Sequence, residues 1–270
     1  MIGFANAKIN IGLFVTGKRP DGFHNLESVF YPVQLSDVVE IVSSSRGENK
    51  FSQSGIQIPG KSDDNIVIKS AQLLQNGYNL PSLNIHLHKN IPTGAGLGGG
   101  SSDGATILKL INAMFSLQLS VVELETYAMQ LGSDCGFFIS NTPSIVKGRG
   151  ELITPIELDL SSNYLLIIHP GIHVSTKDAF KKVNPKQSSF DLLNIGQISH
   201  LEWRHHLTND FEESVFAIYP EIEKIKSELY SGGAWYASMS GSGSSVYGLF
   251  KEKPSVPSSL DGYSHHLLKL

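Results

Sequence analysis

The first clear pattern along the chain is an alternation of apolar and polar side chains. Apolar residues occupy the odd positions between residues 4 and 15, and the even positions include Lys8 and Asn10. A period of two predicts a strand with a core face and a polar face, so Lys8 and Asn10 point the same way. The sequence Pro-Asp-Gly at 20–22 predicts a turn, after which residues 26–33 return along the first strand.

Other segments repeat their apolar residues every three to four positions, as the buried face of a helix does. With their capping residues, these segments predict helices at 65–77, 101–115, 120–132, 209–218 and 220–232, and a short helix capped by Thr176. Apolar runs of strand length predict strands at 38–42, 83–91, 164–169 and 246–250. Polar composition predicts loops at 43–50 and 184–206.

A glycine-rich stretch separates the strand at 83–91 from the following helix. Residues 92–103 read Pro-Thr-Gly-Ala-Gly-Leu-Gly-Gly-Gly-Ser-Ser-Asp, and the helix is expected to begin near Ser101 or Ser102. Free N–H groups and the positive end of the helix dipole favour an anion there, and glycines let it approach the backbone. The stretch therefore predicts a phosphate-binding loop, with a flexible linker as the alternative. It is neither the P-loop motif nor the dinucleotide fingerprint.

Composition narrows the class of protein. A chain of 270 residues with 40% apolar residues can bury a substantial core. A net charge of −4, with no lysine- and arginine-rich block, argues against a nucleic-acid partner. The single cysteine, the lack of a signal-like start and the lack of a long apolar run predict a cytoplasmic protein without a membrane partner. We place the domain boundary so that the domains are 1–155 and 156–270.

Three charged residues are candidates for chemistry, each with a simpler explanation. Lys8 is either an exposed strand lysine or part of a polar site. Lys89, the last residue before the glycine loop, is either an ordinary strand-end lysine or a source of positive charge for a phosphate. Asp134 follows the helix at 120–132, and it either caps the next turn or acts as an isolated functional carboxylate.

Histidines and a second small-residue loop leave alternatives open as well. His24, just after the turn at 20–22, taken alone is more often a turn histidine than a ligand. His86 and His88 share one strand face, but without a third ligand we expect a solvated face and no metal site built by the protein. Residues 239–245 form a loop that either closes over a nucleotide or is a plain tight connection.

Seven segments together resemble the motifs of the GHMP kinase superfamily, which includes galactokinase, homoserine kinase and mevalonate kinase. They are Ala-Lys-Ile-Asn at 7–10, Asp-Gly-Phe-His at 21–24, the glycine stretch at 92–103, Leu-Gly-Ser-Asp at 131–134, Pro-Gly at 170–171 with Thr176, Asn-Asp at 209–210, and Ser-Gly-Ser-Gly at 240–243. The resemblance covers nearly the whole chain. It implies an α+β, two-domain fold: an N-terminal domain with a left-handed βαβ unit like that of a ribosomal protein domain, a ferredoxin-like C-terminal α/β domain, and an active site in the cleft between them.

The glycine loop is longer at residues 96–102 than in most members of the superfamily, and in this it resembles one branch of the superfamily. The resemblance implies phosphorylation of the 2-hydroxyl of 4-diphosphocytidyl-2-C-methyl-D-erythritol, in the non-mevalonate route to isoprenoid precursors, with ATP as donor and Mg²⁺. It implies that Asp134 receives the hydroxyl proton while Lys8 orients the hydroxyl. The residues implied to bind ATP are Lys89, Pro92, Thr93, Gly94, Ala95, Gly96, Leu97, Gly98, Gly99, Gly100, Ser101 and Ser102.

The same resemblance implies that Asn10, Phe23, His24 and Phe180 hold the substrate, with Phe23 and Phe180 enclosing the cytosine. Relatives usually have tyrosine where this chain has Phe23, so the stacking face is kept and a phenol hydrogen bond is lost. A kinase for another small alcohol such as homoserine, and a non-catalytic nucleotide-binding protein on the same fold, are the alternatives. A monomer or a homodimer is expected.

Overall fold

A computed structural model describes residues 1–44, 47–188 and 190–270. The chain divides into two compact units whose segments alternate along the sequence. The first unit comprises residues 1–7, 35–93 and 98–142, and the second comprises residues 8–34, 94–97 and 143–270.

The strands and helices of the described residues follow in chain order. The strands are β1 (Ile2–Lys18), β2 (His24–Ser43), β3 (Lys50–Gly55), β4 (Leu83–Lys89), β5 (Ser144–Gly148), β6 (Leu152–Pro155), β7 (Tyr164–His169), β8 (Tyr236–Met239), β9 (Val246–Phe250) and β10 (Ser264–Lys269). The helices are α1 (Ile66–Tyr78), α2 (Gly99–Met114), α3 (Val121–Leu131), α4 (Phe137–Ser140), α5 (Thr176–Ala179), α6 (His200–His206), α7 (Glu212–Ile218) and α8 (Pro220–Ser231).

The first unit contains a βαβ arrangement. Strands β3 and β4 are parallel, and the chain between them forms α1. On its other side β4 pairs antiparallel with the second half of β2, where Ile41 faces Ile85 and Val39 faces Leu87. All four of these side chains are buried. The helix α2 follows β4 after the glycine loop, so this sheet fixes where the loop begins.

In the second unit, the first half of β2 pairs antiparallel with β5, and β5 pairs with β6. A separate antiparallel sheet has the strand order β10-β7-β9-β8. Its inner face packs on α7 and α8 in an apolar core that includes Leu166, Ile168, Val215, Ile222 and Leu229. The α+β class is confirmed, and the strand order agrees with a ferredoxin-like C-terminal part.

Most predicted elements are present, and several bounds differ. The strands predicted at 26–33 and 38–42 form one continuous strand, β2. Helix α2 begins at Gly99, before the predicted serines, because Gly98 as N-cap has a φ of 72° and the Ser102 N–H donates to the Gly98 carbonyl. Ser175, one residue before the predicted Thr176, caps α5 by accepting from the Asp178 N–H.

The polar face of β1 is buried at Lys8 and Asn10. Lys8 is 3% exposed and Asn10 is 2% exposed, close to the 0% of Ile9 between them. The predicted loop at 184–206 contains α6, whose capping box is formed by Ser199 and Glu202. Parts of two predicted loops, residues 45–46 and 189, lie outside the described residues. Within the described part of the chain, no helix combines the length and apolar character needed to cross a bilayer.

Candidate active site

The glycine loop at 92–102 winds through three left-handed backbone positions. Gly94, Gly96 and Gly98 have φ values of 69°, 78° and 72°. Residues with a side chain rarely adopt this left-handed backbone conformation, so glycine at alternate positions lets the loop turn tightly before α2. The loop leads into the first turn of α2, a helix of 16 residues. The backbone N–H groups of this turn and the positive end of the helix dipole favour an anion there.

Residues 94–97 of this loop pack against the second small-residue loop, at 239–245. The Ser240 hydroxyl donates to the Gly96 carbonyl at 2.8 Å, and the Ser245 N–H donates to the Ala95 carbonyl at 3.2 Å. A Cβ on Gly96 would lie 1.9 Å from the Ser240 carbonyl oxygen. The second loop, whose purpose the sequence left undecided, is therefore a support for the first.

Lys8 is held in place by neighbours in the second unit. Its ammonium donates to Asn10 Oδ1 at 2.5 Å and lies 4.4 Å from the centroid of the Phe30 ring. The Asn10 amide nitrogen donates to the Ser28 hydroxyl at 2.9 Å. Ser240 adds a longer contact of 3.4 Å to Asn10 Oδ1. The polar face predicted for β1 is thus an internal hydrogen-bond network that orients a buried ammonium.

Asp134 lies in the turn after α3. The capping box predicted at Ser120 is present at the start of this helix, which ends at Gly132, and the Cys135 N–H donates to the Gly132 carbonyl. Burial raises the pKa of the Cys135 thiol to about 11 although the thiol is hydrogen-bonded to Ser101, so it is protonated at neutral pH. In this turn the partly buried Asp134 lies next to a buried, protonated thiol.

Two of the rings predicted to bind the substrate, those of His24 and Phe180, lie together in the second unit. The His24 and Phe180 rings stack with centroids 4.6 Å apart, and the Phe180 and Phe211 rings lie edge to face with centroids 4.7 Å apart. Phe23 is 51% exposed, and one face of its ring is covered by the Arg149 guanidinium, 3.6 Å from the ring centroid. The prediction that Phe23 and Phe180 enclose the cytosine of the substrate stays a prediction.

Lys89 sits in the first unit among acidic residues that the sequence did not single out. It is 3% exposed, its ammonium donates to Asp103 Oδ2 at 2.7 Å, and it also contacts Asp37 Oδ2. A signal for Asp103 was present, since it lies four residues before Ile107 on the buried face of α2. Nothing in the local pattern around Asp37 indicated this contact.

A cavity of about 250 Å³ opens beside this cluster in the first unit. Its lining includes Lys89 and Asp103, Thr93 and Gly100 from the glycine stretch, and the α1 cap Asn65. The predicted phosphate-binding segment therefore borders a cavity with both polar and apolar walls.

Two known families match the chain. Residues 65–149 match the GHMP kinases N terminal domain, and residues 180–260 match the GHMP kinases C terminal family. These ranges lie on either side of the predicted boundary at 155 and 156, which stays a prediction.

Individual relatives are similar over almost the full length. A protein of Azobacteroides pseudotrichonymphae genomovar. CFP2, named 4-diphosphocytidyl-2-C-methyl-D-erythritol kinase, is 51% identical over 98% of this chain and 99% of its own length. A protein of that name from Bacteroides thetaiotaomicron is 51% identical over 95% of this chain and 94% of its own. The crystal structure of a 4-(cytidine 5'-diphospho)-2C-methyl-D-erythritol kinase is similar with a TM-score of 0.78 at 31% identity, covering 92% of this chain and 90% of that one.

Proposed function

Because the chain belongs to the GHMP kinase family, we propose that it transfers the γ-phosphate of ATP to the 2-hydroxyl of 4-diphosphocytidyl-2-C-methyl-D-erythritol. The observation that carries the choice of substrate is the 51% identity over 98% of the chain to a kinase named for that substrate. ATP-dependent phosphotransfer is the chemistry of the family. The product is the 2-phosphate, an intermediate of the non-mevalonate route to isoprenoid precursors.

We assign ATP to the glycine loop and the start of α2, at residues 92–102 with Lys89 beside them. Three left-handed glycines and the free N–H groups of the first helical turn support this assignment. Phosphoryl transfer has a loose transition state with charge spread over the phosphate oxygens, so catalysis consists largely of positioning and charge stabilisation. A rigid loop of oriented N–H dipoles meets that requirement.

We assign Asp134 as the group that receives the proton of the substrate hydroxyl, and Lys8 as the cation that orients this hydroxyl and steadies its developing charge. A carboxylate is a weak base, but the hydroxyl becomes acidic as its bond to phosphorus forms. Support for Lys8 comes from its buried position and its contacts with Asn10 and Phe30, which limit the positions of the ammonium.

The diphosphocytidyl part is assigned to Asn10, Phe23, His24 and Phe180. A ring face at Phe180 and the exposed face of Phe23 offer stacking surfaces for a pyrimidine, and His24 offers ring nitrogens for its polar edge. Both polar groups of the Asn10 side chain are hydrogen-bonded, one to Lys8 and one to Ser28. Asn10 therefore contributes to substrate binding by holding Lys8 in position.

Ser101, in the first turn of α2 and only partly buried, supplies a hydroxyl oxygen of the kind that Mg²⁺ prefers, whereas Ser102 is buried. When bound, Mg²⁺ neutralises charge on the β- and γ-phosphates. Among the described residues, no group of three His, Cys, Asp or Glu side chains is arranged to hold a metal, so the phosphates and water supply most ligands. The ATP requirement favours the cytoplasm, and the enzyme is proposed to act as a monomer or homodimer.

A coupled assay of ATP consumption tests the function. With 4-diphosphocytidyl-2-C-methyl-D-erythritol as acceptor we expect turnover, and with homoserine or mevalonate none above background. The Asp134→Ala variant should lose at least about two orders of magnitude in kcat, since a proton acceptor contributes that much, while its affinity for ATP changes little.

Turnover with homoserine alone would assign the enzyme to another small alcohol, and ATP binding without turnover of any acceptor would favour a nucleotide-binding protein. Near-normal turnover by Asp134→Ala would remove the role given to that carboxylate.

A further inference from the structure

The exposed guanidinium of Arg149 stacks on the ring of Phe23. Arg149 lies in the turn between β5 and β6, and its Cζ is 3.6 Å from the centroid of the Phe23 ring. This distance is a van der Waals contact between carbon atoms, so the planar group lies face-on over the ring. A guanidinium in this position directs its N–H groups outward from the edge of the stack.

Hydrogen bonds fix both of the turns that bring these two residues together. The Phe23 N–H donates to Asp21 Oδ1 at 3.1 Å, and the Phe23 carbonyl accepts from the Arg19 N–H at 2.8 Å. In the other turn, the Arg149 N–H donates to the Glu151 carboxylate. Both partners of the stack are therefore held at their backbones.

A neighbouring arginine pairs with the carboxylates of these turns. Arg19 Nε lies 3.2 Å from Asp21 Oδ2, and Arg19 Nη1 lies 3.5 Å from Glu151 Oε1. Within the described part of the chain, the Arg149 guanidinium forms no salt bridge and donates no hydrogen bond. The pKa of Asp21 is lowered chiefly by the Phe23 N–H and then by Arg19, and Arg149 contributes least. The charge and the N–H donors of Arg149 thus remain available to an anion.

The neighbouring rings indicate which anion this is. Phe23 is followed directly by His24, whose ring stacks on Phe180 with centroids 4.6 Å apart. These three residues are assigned to the diphosphocytidyl part of the substrate, and they offer stacking faces and ring nitrogens but no permanent positive charge. The anionic part of that group is its diphosphate, and phosphate oxygens are what the planar fork of arginine binds in a bidentate manner.

We propose that Arg149 binds the diphosphate of the cytidyl substrate through the N–H groups at the edge of its stacked guanidinium, and so selects a phosphorylated cytidine over a free one. The inference rests on the proposed function, because it takes the ligand of these rings to be a diphosphocytidyl group. Stacking on Phe23 orients the guanidinium before the substrate arrives, which reduces the entropy lost on binding. The diphosphate is unchanged in the reaction, so Arg149 acts on affinity and not on the transfer step.

Calorimetric titration with two ligands tests this assignment. In the absence of ATP, 4-diphosphocytidyl-2-C-methyl-D-erythritol presents the diphosphate, whereas cytidine lacks it. Arg149→Gln should weaken binding of the diphosphocytidyl ligand by roughly five- to thirtyfold, between the effect of an exposed ion pair and that of a charge-assisted hydrogen bond. Binding of cytidine should change by at most about threefold, through the lost contact with the Phe23 ring.

Two further variants control for charge and for position. Arg149→Lys keeps the charge but not the planar fork, so it should recover part of the affinity that Arg149→Gln loses. Arg204→Gln removes an exposed arginine from α6 and should bind both ligands as wild type does. If Arg149→Gln does not fold, Arg149→Lys still tests the proposal, because it should weaken binding of the diphosphocytidyl ligand alone.

Salt and kinetics give readouts that a purely structural role would not produce. Added salt should weaken binding of the diphosphocytidyl ligand more in wild type than in Arg149→Gln, because exposed charges are screened. In the coupled assay, Arg149→Gln should raise the KM for this substrate and leave kcat within about twofold, as expected for a contact that is equal in the ground and transition states.

Equal losses of affinity for both ligands in Arg149→Gln, or no loss for either, would overturn the assignment to the diphosphate. An equal salt dependence in wild type and Arg149→Gln would do the same. Failure of wild type to bind and phosphorylate the diphosphocytidyl substrate would instead refute the proposed function. Normal turnover by wild type with an unchanged KM in Arg149→Gln would remove only the role of Arg149.

Discussion

At the scale of single residues, Asn10 links the proposed chemistry to the stability of the second unit. Its Oδ1 accepts from the buried Lys8 ammonium, its Nδ2 donates to Ser28, and its carbonyl accepts from the Tyr247 hydroxyl at 2.6 Å. Ser28 in turn donates to the Gly12 carbonyl. Each polar group has a partner, which is what a buried network needs to be stable.

Replacing Asn10 with alanine should therefore destabilise the protein. The Lys8 ammonium and the Ser28 hydroxyl each lose a partner while buried, and we expect a loss of about 1–3 kcal/mol in the free energy of unfolding. Urea denaturation measures this loss. Asn84→Ala, on an exposed position of β4, is the matched control and should change stability by less than about 0.5 kcal/mol. Equal stability of the two variants would contradict the network.

At the scale of elements, the glycine loop is shaped by what touches each glycine. Gly96 has a positive φ and lies against the Ser240 carbonyl, so any side chain there collides with backbone. Gly100 lies in the first turn of α2, and apart from its chain neighbours and the backbone of its own helix, no described atom lies within 4 Å of a Cβ placed there. The two glycines therefore have different roles. Gly96 allows the loop to pack closely against Ser240, and Gly100 leaves open space next to the first turn of α2.

Alanine at these two positions should have opposite effects on stability. Gly96→Ala should lower the free energy of unfolding by at least about 1–3 kcal/mol, because overpacking and a strained φ both oppose it. Gly100→Ala should raise it by about 0.4–1 kcal/mol, because alanine restricts the unfolded chain and fits a helix. Thermal unfolding of both variants measures the difference. If Gly100→Ala destabilised the protein as much as Gly96→Ala, the two glycines would not differ in their packing as proposed.

At the scale of the whole molecule, two partly buried histidines make the free energy of unfolding depend on pH. His169 on β7 and His266 on β10 are half-buried, and burial lowers the pKa of both below 6.5. His266 Nε2 has no hydrogen-bond partner among the described residues. The unfolded chain therefore binds more protons than the folded chain once the pH drops below the ordinary histidine value.

The contribution of these two histidines to the free energy of unfolding should accordingly be fully present above about pH 6.5 and should decline as the pH falls through their lowered pKa values in the folded protein. Urea titrations between about pH 7.5 and 5 measure the slope. His266→Gln should reduce this slope, whereas His205→Gln, on the exposed side of α6, should leave it as in wild type. An unchanged slope in His266→Gln would exclude that histidine as a source of the pH dependence.

Patterns between neighbours in the chain allowed much of the fold to be predicted. The alternation of β1, the Asn65 cap of α1 and the capping box at Ser120 each depend on residues at most a few positions apart, and all are present. The glycine spacing likewise indicated a tight turn before α2. Family motifs supplied the candidate roles of Lys8 and Asp134, which no local pattern could provide.

Contacts between distant segments were decided by the tertiary structure alone. Asp37, Lys89 and Asp103 meet because β2, β4 and α2 pack together in the first unit. Gly96 contacts Ser240 although 144 positions separate them in the chain. Burial turned the polar face of β1 into an internal network. Short-range sterics and hydrogen bonding fix local elements, whereas burial and pairing of charges follow from which elements pack together, and a single sequence does not reveal that packing.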